Sequence, residues 1–90
     1  MTKPQLAEGI EMAKRYTELY KVGLVGITPG IFHEPKLQVT VDEFKRHYLD
    51  GEFHFRPHSE EYYEVYVRDE GVTVFALLGE KDLLKGDWNE

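Results

Sequence analysis

Ninety residues, 41% hydrophobic, 13% aromatic and 31% charged, describe one small globular domain (residues 1–90), because a chain this short rarely divides and buries only about 60–65% of its unfolded surface. The absence of cysteine excludes a disulfide scaffold, a thiol nucleophile and zinc sites built on thiolates. A formal charge of −6, from 11 basic and 17 acidic residues, argues against direct nucleic-acid binding, since the chain as a whole repels phosphate.

Residues 3–21 read as a helix. Thr2 and Gln5 have capping-box spacing, and Pro4 is tolerated in the first turn. Leu6, Ile10, Ala13, Thr17 and Tyr20 repeat at 4-3-4-3 spacing, with Met12, Tyr16 and Leu19 widening the stripe. Gly23 is placed to end the helix in a left-handed conformation. Residues 24–40 read as strand or loop: Leu24–Ile27 and Lys36–Thr40 have strand character, broken by Thr28-Pro29-Gly30 and Glu34-Pro35. Thr40 and Glu43 mark the start of a second, short helix, with Val41, Phe44 and Tyr48 on one face and Gly51 beyond its end.

Residues 52–56 alternate phenylalanine with polar side chains, and Pro57 stops them. Residues 61–68 and 72–78 flank Asp69-Glu70-Gly71 as the arms of a C-terminal hairpin (61–78). Its second arm is apolar on both faces, as a central strand requires. One helical turn is expected around Asp82–Lys85 before Gly86, within a tail (79–90) that frays in part. The sum is an α+β domain: two helices flanking an antiparallel sheet of three or four strands.

Several side-chain sets carry chemistry. In a strand, His54, Arg56 and His58 project from one face, which suits an anion, a small ligand or, with Glu60 or Glu61, a metal ion. His33, Glu34 and His47 are further ligands if the fold gathers them. Against this, strand residues four apart sit about 13 Å from each other at the backbone, and Arg56 repels a cation. Ordinary surface histidines, with Arg56 paired to a glutamate, are the commoner outcome.

The hairpin's first arm places Tyr62, Glu64, Tyr66 and Arg68 on one face. Tyrosine and arginine are enriched where proteins meet, so this face suits a protein partner unless a helix covers it. Charge is uneven along the chain: residues 1–21 carry +1, residues 22–50 −1 and residues 51–90 −6. The acidic run Glu60-Glu61-Tyr62-Tyr63-Glu64 with Asp69-Glu70 suits a basic partner or simple solubility. Gly23–Gly30 lacks the ending of a phosphate-binding loop, and Ser59, the sole serine, sits in no nucleophile motif.

The reading is therefore a small acidic protein-interaction module, a non-enzymatic regulator or inhibitor of another macromolecule. It has no cofactor, contacts its partner through Tyr62, Glu64, Tyr66 and Arg68, and can also pair with itself as a homodimer. The alternative is a ligand, anion or metal site at His54, Arg56 and His58. The N-terminus lacks a secretory signal and no apolar run spans a bilayer, so a cytoplasmic, membrane-free protein is expected. In size, acidity and lack of cysteine the chain resembles many short accessory proteins of bacteria and their phages, a likeness of style that no motif carries.

Overall fold

Thr2 starts the first element as its spacing requires. Its hydroxyl accepts from the Gln5 backbone N–H at 3.2 Å, and the Gln5 side-chain oxygen accepts from the Thr2 N–H at 2.8 Å. This capping box opens α1 (Lys3–Tyr20) in the computed structural model, which describes residues 1–83 and 88. Gly23 then turns the chain with φ near +121°, and a Cβ there would collide with the Glu43 side chain. Only glycine meets both demands.

The chain continues through β1 (Leu24–Thr28) and β2 (Lys36–Val39), an antiparallel pair with a bulge between Leu24 and Gly26. Thr40 caps α2 (Val41–Tyr48), its hydroxyl accepting from the Glu43 N–H at 3.3 Å, and Asp42 and Glu43 complement the helix dipole. β3 (His54–Pro57), β4 (Tyr63–Asp69) and β5 (Val72–Leu78) form an antiparallel meander, followed by the short α3 (Glu80–Leu83). Glu70 and Gly71, at φ of 52° and 81°, both adopt positive φ in the β4–β5 turn, which suits the right-handed twist of a two-residue hairpin.

The architecture is α+β, with a five-stranded sheet in the order β1-β2-β5-β4-β3. It is larger by one strand than the upper expectation, because residues 24–40 supply two strands. One pairing is parallel, with Leu37 opposite Val74 in the β2–β5 register. A parallel pair needs a crossover, here the whole α2–β3–β4 segment, and so has no local sequence signature.

The two faces of the sheet differ. On one, Phe44 of α2 is 0% exposed and packs with Val65, Val67, Val74, Ala76 and Leu78. Aromatic rings border this core: Phe44 lies 5.1 Å from Tyr48, 6.4 Å from Phe53 and 6.3 Å from Trp88, centroid to centroid. Trp88 thus returns from the tail expected to fray, its indole N–H donating to the Asp82 carbonyl at 3.2 Å. The turn expected over Asp82–Lys85 begins earlier, at Glu80; Lys85 and Gly86 lie outside the described residues. The expectation of two flanking helices holds for α2 alone. α1 has no buried residue, and its C-terminal end meets β1.

Tyr48 ties α2 to the hairpin tip, its hydroxyl donating to Asp69 Oδ2 at 2.8 Å. Burial, and then this bond to a carboxylate, push its pKa up to about 12 from an ordinary 10.0. The unfolded chain loses the phenolic proton near pH 10 while the folded one keeps it, so stability falls as pH rises from about 10 to about 12. Urea unfolding at stepped alkaline pH will show that fall in the wild type. Tyr48→Phe will flatten it and will cost about 1 kcal/mol at neutral pH through the lost hydrogen bond.

Candidate interaction face

The strand registers define the second face. His54 of β3 lies opposite Tyr66 of β4, Arg56 opposite Glu64, Glu64 opposite Leu77 of β5, Tyr66 opposite Phe75, and Arg68 opposite Thr73. β2 adds Lys36 beside Thr73 and Gln38 beside Phe75. Alternation in β4 puts Val65 and Val67 into the core and turns Glu64, Tyr66 and Arg68 the other way. Among the described residues no helix covers this face: α2 packs on the opposite side and α1 meets β1.

Tyr66 is its centre. The Arg56 guanidinium sits 4.3 Å from the tyrosine ring centroid, and the His54 ring lies 5.5 Å away at a 39° tilt. Arg56 Nε also donates to Glu64 Oε2, a close charge-assisted contact. Glu64 is only 4% exposed, so its carboxylate lies beneath the face and fixes Arg56 over the tyrosine. Members of the two sets read separately from the sequence, Glu64 and Tyr66 from one and His54 and Arg56 from the other, thus form one interlocked cluster. A shallow depression beside it is lined by Glu52, His54, Tyr66, Val67 and Arg68.

A second network reaches the same face from the loop before β2. Arg68 donates to Glu34 Oε2 at 2.6 Å, and the nearly buried Thr73 hydroxyl donates to Glu34 Oε1 at 2.5 Å. The Thr73 hydrogen bond, then Arg68 and Lys36, hold the Glu34 carboxyl below the usual carboxylate range. Sequence reading did not connect Glu34, Lys36, Gln38, Thr73 and Phe75 with this face. The alternation of Thr73, Phe75 and Leu77 was the available signal for β5. Lys36 and Gln38 had none, because their strand pairs across a long connection.

Other candidates are dispersed. Tyr62 precedes β4, its ring 3.7 Å from where a Cβ on Gly79 would stand, at the opposite end of the strand from Arg68. His58 is exposed in the turn after β3, where its backbone N–H donates to the Tyr62 carbonyl at 3.0 Å. His33 lies in the loop before β2, and His47 sits on α2 with Nε2 3.3 Å from Glu43. Of the three, His54 and Arg56 meet at Tyr66 and His58 stands in the turn past the end of β3, and among the described residues no group of three or more His, Asp or Glu side chains is placed to hold a metal. The acidic run is also split: Glu60 and Glu61 are exposed at one end of β4, Asp69 and Glu70 at the other. No described helix is long and apolar enough to cross a membrane.

Compared with known proteins, the chain matches no family model, no curated protein and no solved structure.

Proposed function

We propose that this protein is a non-enzymatic interaction module, a regulator or inhibitor that binds another protein through the open face of its sheet. The observation that carries the reading is Tyr66, held between Arg56 and His54 on a face that, among the described residues, neither α1 nor α2 covers. Tyrosine and arginine fixed on a rigid sheet lose little conformational freedom on binding, as interface anchors should. Tyr66, half-buried, offers apolar surface to one or two partner side chains, while Phe75 beside it is buried and closes the floor of the face. Arg56, His54 and Arg68 supply the polar surround, and the acidic ends of β4 favour a partner with basic residues at its rim. The anion-site alternative is weaker, because Glu64 already engages Arg56, and His58 stands exposed past the end of β3.

The test must spare the fold. Glu64 is buried beside Arg56, so replacing it with lysine would place two cations together and unfold the sheet locally. His54 and Arg68 are exposed, and His54→Ala with Arg68→Ala will leave the melting temperature within about 3 °C, in keeping with weak surface pairs. Capture from lysate of the source organism, read by mass spectrometry, will give one stoichiometric partner for the wild type. That partner will be lost for the double variant and for Tyr66→Ala. Retention of it by both variants, or no partner at any salt concentration, overturns the assignment.

A further inference from the structure

We propose that α1 is a homodimerisation helix, which pairs antiparallel with the α1 of a second copy through the stripe Leu6, Ile10, Ala13, Thr17 and Tyr20. The molecule is elongated, 50 Å by 28 Å by 26 Å, because this helix stands away from the sheet. Leu6 and Ile10 are each 50% exposed and Tyr20 54%, although all three lie on the apolar side of the helix. Isolated helices of this length are marginal in water, and Gly9 weakens the interior further. An 18-residue helix that buries none of its own residues draws its stability from what covers it.

Three features commit the occupant to a second copy. The 4-3-4-3 spacing is the seam that helices use to pack on one another, and it is self-complementary, so a two-fold closes it without leaving a free end. Area comes next. A helix about 27 Å long and about 10–12 Å across presents about 600 Å² of accessible surface on its apolar half, or about 1,200 Å² for two copies, which reaches the range of stable interfaces. Charge is the third. Residues 1–21 carry +1 and the rest of the chain −7, so any pairing through the sheet brings two acidic bodies together, whereas antiparallel helices hold them at opposite ends. On the helix itself Glu11 pairs with Lys14 at 3.3 Å and Glu18 with Lys21 at 3.2 Å, so its flank is neutralised within each copy. A membrane surface fits less well, because α1 has only one excess positive charge and the whole chain is acidic.

Sedimentation equilibrium of the full chain will give twice the 10.5 kDa monomer mass, and α-helical circular dichroism will fall on dilution as α1 loses its partner. Leu6→Lys with Ile10→Lys will be monomeric at concentrations where the wild type is dimeric, with Trp88 fluorescence unchanged because the core is untouched. Arg15→Glu, on the opposite side of the helix, will remain dimeric. The chain has no cysteine, so a single one at Ala13 is captured as a dimer by a short bis-maleimide, while one at Leu6, near the helix end, is not. A wild type that stays monomeric, a Leu6/Ile10 variant that stays dimeric, or binding of the helix to vesicles in place of a second copy overturns the proposal. Because His54 and Arg68 lie on the sheet, their variants leave the dimer intact, and failure of either reading is told apart from failure of the other.

Discussion

Phe44→Ala lowers the unfolding free energy by about 3–5 kcal/mol, the largest effect expected of any single substitution in this chain. The side chain is 0% exposed and is the sole residue of α2 that is fully buried. It is also the point at which the helix, the three C-terminal strands and the returning Trp88 meet. Its ring packs edge-on against Phe53 at 88° and tilted against Tyr48, so truncation removes transfer energy, ring contacts and the support of two neighbours together. Relaxation cannot fill the space, because Val65 on the facing β4 is held by backbone ladders on both sides, and Ala76 and Leu78 of β5 are held by their pairing with β4. Urea unfolding followed by tryptophan fluorescence measures it. A loss below about 1.5 kcal/mol would show that α2 is not the lid of this core.

The second large effect lies in the Arg56–Glu64 pair. Arg56→Ala leaves a carboxylate that is 4% exposed without its cation, and breaking a buried pair in this way costs about 3–5 kcal/mol. The Arg56 side chain is 42% exposed, so water partly replaces it and the expected loss drops to about 2 kcal/mol. Glu64→Leu with Arg56→Leu removes both charges and will be less destabilised than Arg56→Ala alone. The double-mutant cycle therefore shows strong coupling. Additive losses would place the pair among ordinary surface contacts. The cycle bears on function as well, because Glu64 holds Arg56 over Tyr66, and the partner face should lose affinity whenever that support is removed.

Most of the local structure was legible from residues. The Thr2–Gln5 and Thr40–Glu43 caps, the Gly23 stop, the Gly71 turn and the alternation of Tyr63 to Arg68 all act over a few positions, where backbone hydrogen bonding and side-chain period decide the outcome. Residues 24–40 were ambiguous for a physical reason. A bulge at Val25 breaks the alternation of β1, and four-residue β2 is held by a parallel partner distant in the chain. For the candidate site, the sequence set out Tyr62, Glu64, Tyr66 and Arg68 as one face and His54, Arg56 and His58 as another. It did not show that β3 lies beside β4 in the register that merges them.

By itself, then, the sequence determined the element types outside residues 24–40, the acidic second half, the apolar stripe of α1 and which residues of β4 share a side. These follow from periods of two and 3.6 and from capping chemistry, which need no distant contact. Only the tertiary structure decided that β2 joins β5 in parallel, that α2 covers one side of the sheet and α1 neither, and that Glu64 is buried beneath Arg56 rather than offered to a partner. Each of these depends on closing a long loop before any contact stabilises it, and that free-energy balance is set by the whole chain rather than by any segment of it.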